Sequence, residues 1–175
     1  VTQKGMSIRF PETDARAMGR TAAGVIGIRL DKDDRVIAFD VFEPDTEKDL
    51  LVVSSLGMGK RTAIDQYRSQ SRGGKGIQAM RLTDRTGEIV AARMVADDSG
   101  VMLMNTSGIA IRISADQISR IGRTTQGVKL MRLGEDEEIA SVTIIEPRDP
   151  AAEAQAEGVE EAEIGAEGAE PSTGE

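Results

Sequence analysis

Three stretches of this chain lie over one another without a gap. They are GMSIRFPETDARAMGRTAAGVIGIRL from Gly5, GMGKRTAIDQYRSQSRGGKGIQAMRL from Gly57 and GIAIRISADQISRIGRTTQGVKLMRL from Gly108. All fit the spacing G-x3-R-x10-R-x3-G-x4-R-L. The first arginines are Arg9, Arg61 and Arg112; the second are Arg20, Arg72 and Arg123. The second glycines are Gly24, Gly76 and Gly127, and each copy closes on Arg29-Leu30, Arg81-Leu82 or Arg132-Leu133. A period of 51 to 52 residues between starting glycines means one supersecondary unit made three times, which must bury its apolar surface against its own copies.

The segments between the motifs predict strands. VIAFDVF (36–42), IVAARMV (89–95) and IASVTII (139–145) hold the same place in each repeat, and LLVVSSLG (50–57) and VMLMNTSG (101–108) follow two of them. Such short β-branched runs, bounded by Gly, Asp, Glu and Ser, suit strands and are too short for helices. The stretch after each second glycine, such as GVIGIRL, is apolar on both faces apart from its arginine, which suits a strand packed between sheets. Each repeat thus offers about four strands, and a four-stranded sheet hides both faces only by stacking on others. The expectation is an all-β, propeller-like fold of three four-stranded repeats forming part of a ring, at about 5–56, 57–107 and 108–145. VTQKG resembles the end of LLVVSSLG, so residues 1–4 read as the close of an earlier blade, and further blades are expected upstream in preference to closure by two chains.

The net charge of −8 misleads, because residues 146–175 carry ten acidic residues and one basic, Arg148. The remaining 145 residues hold twenty acidic and twenty-one basic side chains. The last thirty residues are mostly Ala, Glu, Gly and Pro, too poor in large apolar groups to offset their ordering entropy, and read as a disordered acidic tail. That tail either aids solubility or competes with a polyanion for basic sites. The chain has no Cys and no His, which removes disulfides, Cys or His metal sites and His-based triads. No long apolar run or signal segment is present, so no membrane association and a cytoplasmic location are expected.

Catalytic readings find little support. SSLGMGKRT is the nearest approach to a phosphate-binding G-x4-G-K-[ST] loop, but Ser54 replaces its first glycine and Arg61 its hydroxyl residue. Tyr67 is the lone tyrosine, and its repeat counterparts are Ala15 and Ile118, so it reads as a packing position. No catalytic residue, cofactor site or metal site is assigned.

The arginines divide in two. Arg29, Arg81 and Arg132, inside apolar strands, read as structural partners of carboxylates at the blade junctions. Arg9, Arg20, Lys60, Arg61, Arg68, Arg72, Lys75, Arg112, Arg120 and Arg123 stand near Gly, Ser and Thr, with acidic residues mostly elsewhere. Equivalent positions in successive blades project alike, so these cations predict a basic arc suited to the phosphates of bent duplex DNA with little base reading. Gly73 and Gly74 would let backbone N–H groups approach a phosphate. A propeller scaffold that binds acidic proteins through the same cations is the competing reading.

GMGKRT, QSRGGKG and GRTTQGV together resemble the C-terminal β-pinwheel domain found in the A subunit of DNA gyrase, over about residues 1–145, and the acidic tail resembles tails that follow it. GRTTQGV and GKRT favour gyrase over the related topoisomerase IV subunit. The family's Q-[RK]-R-G-G-[RK]-G box is matched by Gln70, Arg72, Gly73, Gly74, Lys75 and Gly76 but not by Ser71. Counted back from the tail, that loop falls on the penultimate blade and reads as a box-like copy. The resemblance implies DNA wrapping in support of ATP-dependent negative supercoiling by a type IIA topoisomerase. It also implies a heterotetramer in which this piece works with the rest of gyrase A and with gyrase B. ATP and magnesium would act outside this fragment, and the location would be bacterial and nucleoid-associated. The family's cleavage tyrosine follows an arginine; Tyr67 follows Gln66 and is not assigned that role.

Overall fold

The computed structural model of the chain describes residues 1–146, and Val1–Ile145 form one compact unit. The tail reading falls, from residue 147 onward, outside the described residues. Nine strands appear: β1 (Met6–Ser7), β2 (Asp49–Ser54), β3 (Met58–Ala63), β4 (Ile77–Gln78), β5 (Ile89–Val95), β6 (Gly100–Asn105), β7 (Ala110–Ser114), β8 (Val128–Lys129) and β9 (Ile139–Ile145). Among the described residues the only helical elements are single 3-10 turns at Glu12–Asp14, Ile64–Gln66 and Ala115–Gln117. These occupy the same place in each repeat, so the period extends to a feature that the motif does not spell out.

The strands form three antiparallel sheets, ordered β1-β4, β5-β2-β3-β8 and β7-β6-β9, that do not close into a ring. The all-β, repeated-sheet reading holds, but the four strands do not come from one repeat. β8 belongs to the third motif and pairs with β3 of the second, Gly59 opposite Val128. β4 of the second motif pairs in the same way with β1 of the first, Ser7 opposite Ile77. The second and third repeats therefore each lend the strand after their second glycine to their predecessor. Gly76 and Gly127 permit this: both have φ near +80°, and a side chain on Gly127 would stand 2.6 Å from the Gly59 carbonyl oxygen. One on Gly76 would collide with the Ser7 carbonyl.

The middle sheet is buried on both faces. Leu50 and Val52 join Met58, Tyr67, Met80 and Ile89 in one core, while Leu51 and Val53 join Val95, Val101, Leu103, Ile118 and Met131 in another. The uninterrupted LLVV run is the signature of a strand with a neighbour on each side. Tyr67 is 2% exposed with its hydroxyl pushed up to about 12 by burial, as a packing position requires. VIAFDVF is a correction: residues 36–42 form no strand, because among the described residues their backbone pairs only with Val1, through Ile37 and Ala38, and with Thr2, through a Thr2–Val36 bridge, which is too short a partner for a ladder. Phe39 and Val41 are consequently 75% and 69% exposed, and Ile26 in the first GVIGIRL stretch is 68% exposed. That stretch is not a strand either, since the described residues include no earlier sheet to receive it.

Candidate nucleic-acid interface

The first arginines of the first two motifs, Arg9 and Arg61, reach into the next repeat. Arg9 Nη1 donates to the carbonyl oxygens of Ile64 (3.1 Å) and Tyr67 (3.4 Å), and its guanidinium lies 5.1 Å from the Phe42 ring centre. Arg61 repeats the reach one blade on: its Nε donates to the Ile118 carbonyl at 3.1 Å, and Ile118 is the counterpart of Tyr67. Arg61 also bonds Asp97 and lies 3.5 Å from the buried carboxylate of Asp49. Asp49 is held in turn by Arg120 through Nε, 3.0 and 2.9 Å from its two oxygens. That partner favours the charged form of Arg120 and raises its pKa.

The second arginine points back. Arg72 donates to the carbonyls of Asp14 (2.8 Å) and Ile26 (3.2 Å), and Arg123 to that of Gln78, the counterpart of Ile26. The two arginines of the motif thus lock each repeat boundary from opposite sides. Arg112 and Arg20, for which the described residues supply no following or preceding repeat, are exposed.

These contacts correct the sequence-based assignment of cations. Lys60 and Arg61 are buried, at 0% and 5% exposure, and neither offers its charge to a ligand at the surface. Arg9, Arg72 and Arg123 are partly buried and committed to backbone carbonyls. Lys75 is exposed but lies 3.0 Å from Asp31, and Arg120 is tied to Asp49. Arg20, Arg68 and Arg112 remain exposed with no ion pair among the described residues. Of the two loop glycines, Gly73 takes φ +75°, whereas Gly74 has no positive φ and a side chain there would meet Ile8 at an ordinary 3.7 Å. The counterpart of Gly74 is Thr125, which carries a side chain in the same loop.

The closing arginines correct the sequence reading in the opposite sense. Arg29, Arg81 and Arg132 are all exposed, and none forms a salt bridge to a carboxylate among the described residues. The lent strand lasts two residues, so it ends before the arginine and releases it to solvent. The backbone fixes where Arg29 and Arg81 stand. The Arg29 N–H donates to the Gly74 carbonyl at 2.8 Å, and the Arg81 N–H to the Thr125 carbonyl at 3.0 Å. Each therefore lies against the glycine- and threonine-rich loop of the following repeat, 71–75 or 122–126. An exposed guanidinium next to a loop in which some backbone N–H groups, such as that of Thr124, have no partner among the described residues is an arrangement that can take a phosphate oxygen. Sequence reasoning could have found these arginines, since they recur in all three copies at the most regular point of the motif.

Comparison with known proteins adds an independent line. The family "DNA gyrase C-terminal domain, beta-propeller" matches residues 1–43, 48–96 and 101–146, one segment per repeat. The DNA gyrase A subunit of Staphylococcus epidermidis is 42% identical over 142 residues, which is 81% of this chain and 16% of that protein. Its Staphylococcus aureus equivalent is 41% identical over 141 residues, again 81% of this chain and 16% of the relative. The chain thus spans about a sixth of the length of these curated relatives. A solved DNA gyrase A C-terminal domain superposes with a TM-score of 0.73 at 26% identity, covering 83% of this chain and 49% of that one. The C-terminal domain of DNA topoisomerase IV gives 0.81 at 21% identity, covering 90% and 50%, a likeness of fold.

Proposed function

The chain belongs to the DNA gyrase C-terminal domain family, and from that membership we propose that it binds duplex DNA by its phosphates, on composite sites repeated from blade to blade. The observation that carries this reading is the placement of the closing arginines. Arg29 and Arg81 are exposed, and each is bonded through its own backbone to the loop of the next repeat. A polyanion with regular charge spacing is matched by cations at a regular structural period. Arginine side chains and loop N–H groups read phosphate and not base edges, so binding is weakly dependent on sequence. Arg20, Arg68 and Arg112 extend the surface, while Lys60, Arg61, Arg9, Arg72 and Arg123 build the frame that carries it.

In the whole enzyme, this piece wraps DNA and presents a segment to the gate, in support of ATP-driven negative supercoiling together with the rest of gyrase A and with gyrase B. Ile26, Phe39 and Val41 are exposed, and further blades, of which the longer solved relative has room for more than this chain supplies, would cover them. ATP and magnesium act in other parts of that enzyme, in the bacterial cytoplasm, and the chain itself contributes binding and no bond chemistry.

Replacing Arg29, Arg81 and Arg132 together by Ala tests the reading. Duplex affinity is expected to fall to a similar degree on unrelated sequences, with the salt slope flattened by about 1 for each phosphate no longer neutralised. Unchanged affinity at low salt would overturn it.

A further inference from the structure

The lysine of the second motif stands where the other two copies have isoleucine: Ile8, Lys60 and Ile111 are equivalent. Ile8 does what an apolar residue should and packs toward Gly74. Lys60 is buried at the equivalent position, yet charged. Its Nζ is caged by the carbonyl oxygens of Gly122 (2.8 Å), Arg123 and Thr125 (3.2 Å) and by Thr125 Oγ1 (3.3 Å). All of these belong to the next repeat's loop. The Thr125 hydroxyl closes the cage by donating to the Gly122 carbonyl at 2.7 Å.

A trans peptide carries its N–H opposite its C=O, and no peptide here is cis. Turning the carbonyls of Gly122, Arg123 and Thr125 inward onto Lys60 therefore turns the N–H groups of Arg123, Thr124 and Gln126 outward. The Arg123 N–H meets Gln66 Oε1 at 3.3 Å. Those of Thr124 and Gln126 have no partner among the described residues. The exposed Arg81 is anchored to the same Thr125 carbonyl through its backbone N–H. The neighbouring loop reaches its shape without such a cation, through Arg72 and a 2.6 Å bond from the Gly73 N–H to the Gly27 carbonyl.

We propose that Lys60 is a positioning residue for a phosphate-binding loop. From inside the second repeat it holds the third repeat's Gly122–Gln126 loop with the Thr124 and Gln126 N–H groups facing out, and these, with Arg81, receive one DNA phosphate. The inference rests on the DNA-binding reading and adds a site to it. It also explains why a buried cation stands at a position that isoleucine fills elsewhere: peptide dipoles aligned by an ammonium present their positive ends to the ligand.

The test is an amide NMR titration of the full chain with a short duplex of mixed sequence, run on wild type, Lys60→Met and Thr125→Val. In wild type, the Thr124 and Gln126 amide protons are expected to shift downfield on DNA addition. In Lys60→Met those shifts disappear and affinity falls roughly tenfold, the scale of a charge-assisted phosphate contact, while DNA-induced shifts at Gly73 and Gly74 persist. Thr125→Val removes one wall of the cage and gives a smaller loss in the same direction, which keeps the question answerable should Lys60→Met fail to fold. Silent Thr124 and Gln126 amides in wild type that still binds DNA would overturn the inference and leave the DNA-binding reading intact. So would a folded Lys60→Met whose shifts match wild type. Absence of any DNA binding by wild type would end both.

Discussion

Arg61 Nε and the carbonyl oxygen of Ile118 lie 3.1 Å apart across the boundary between the second and third repeats. The guanidinium also meets Asp97 and the buried Asp49, so one side chain links strand β3, the third repeat's turn and the first residue of β2. Removing it leaves buried Asp49 with Arg120 alone. Arg61→Ala is expected to lower unfolding stability by roughly 3–5 kcal/mol, the usual cost of breaking a buried pair from one side. Arg9→Ala, which removes two hydrogen bonds to carbonyls and one cation–π interaction at a half-buried site, should cost on the order of 1–2 kcal/mol. Urea denaturation measures both; equal costs would show that the Asp49 network is not what distinguishes them.

Gly76→Ala and Gly74→Ala separate packing from loop shape. The first combines a left-handed φ with a collision against the Ser7 carbonyl and should destabilise by roughly 2–4 kcal/mol. The second meets only Ile8 and ordinary neighbours at 3.7 Å or more, and should lie within about 1 kcal/mol of wild type. Comparable melting losses in the two variants would contradict the lent-strand geometry.

Burial, and secondarily the charge of Arg123, push the Lys60 ammonium down to about 8 from 10.5. Between those values the unfolded chain holds a proton that the folded chain has released. Stability contributed through this group therefore rises with pH across the window, and below about 8 the full cost of the buried charge is present. DNA affinity should move the other way, because a neutral amine grips the loop carbonyls less well. Thermal melting and duplex binding measured from neutral to alkaline pH, wild type against Lys60→Met, check this pair of opposite trends. Parallel pH dependence in the two proteins would show that Lys60 is not the titrating group.

How far the sequence can be read depends on whether a residue's role lies inside one repeat. The strands at 50–57, 89–95, 101–108 and 139–145 are legible because their apolar runs and bounding polar residues are local. The lending of β4 and β8 is not, since strand pairing between repeats leaves no local mark beyond the recurring second glycine. Arg81 reads as structural because an apolar neighbourhood looks the same whether a strand continues through it or stops before it. Lys60 is readable in principle: a lysine aligned with two isoleucines signals a buried cation, but the adjoining glycines give it the look of a surface loop.

Residues 146–175 carry ten carboxylates against one arginine and are tethered to a chain that we assign to a polyanion. A short flexible tether would give an effective concentration of roughly the millimolar scale. Truncation after Ile145 is expected to tighten duplex binding at low salt, with the difference shrinking as salt rises. Equal affinities of intact and truncated chains at both low and high salt would leave the tail a solubility device.

That phosphates, and not bases or protein side chains, are the ligand is tested most directly by the affinity of the full chain for two duplexes of unrelated sequence across a series of salt concentrations. A linear fall of log affinity with log salt is expected, with a slope of roughly −0.9 for each phosphate neutralised and nearly the same line for both duplexes. Absence of binding at the lowest salt, or a flat line for either duplex, would contradict it.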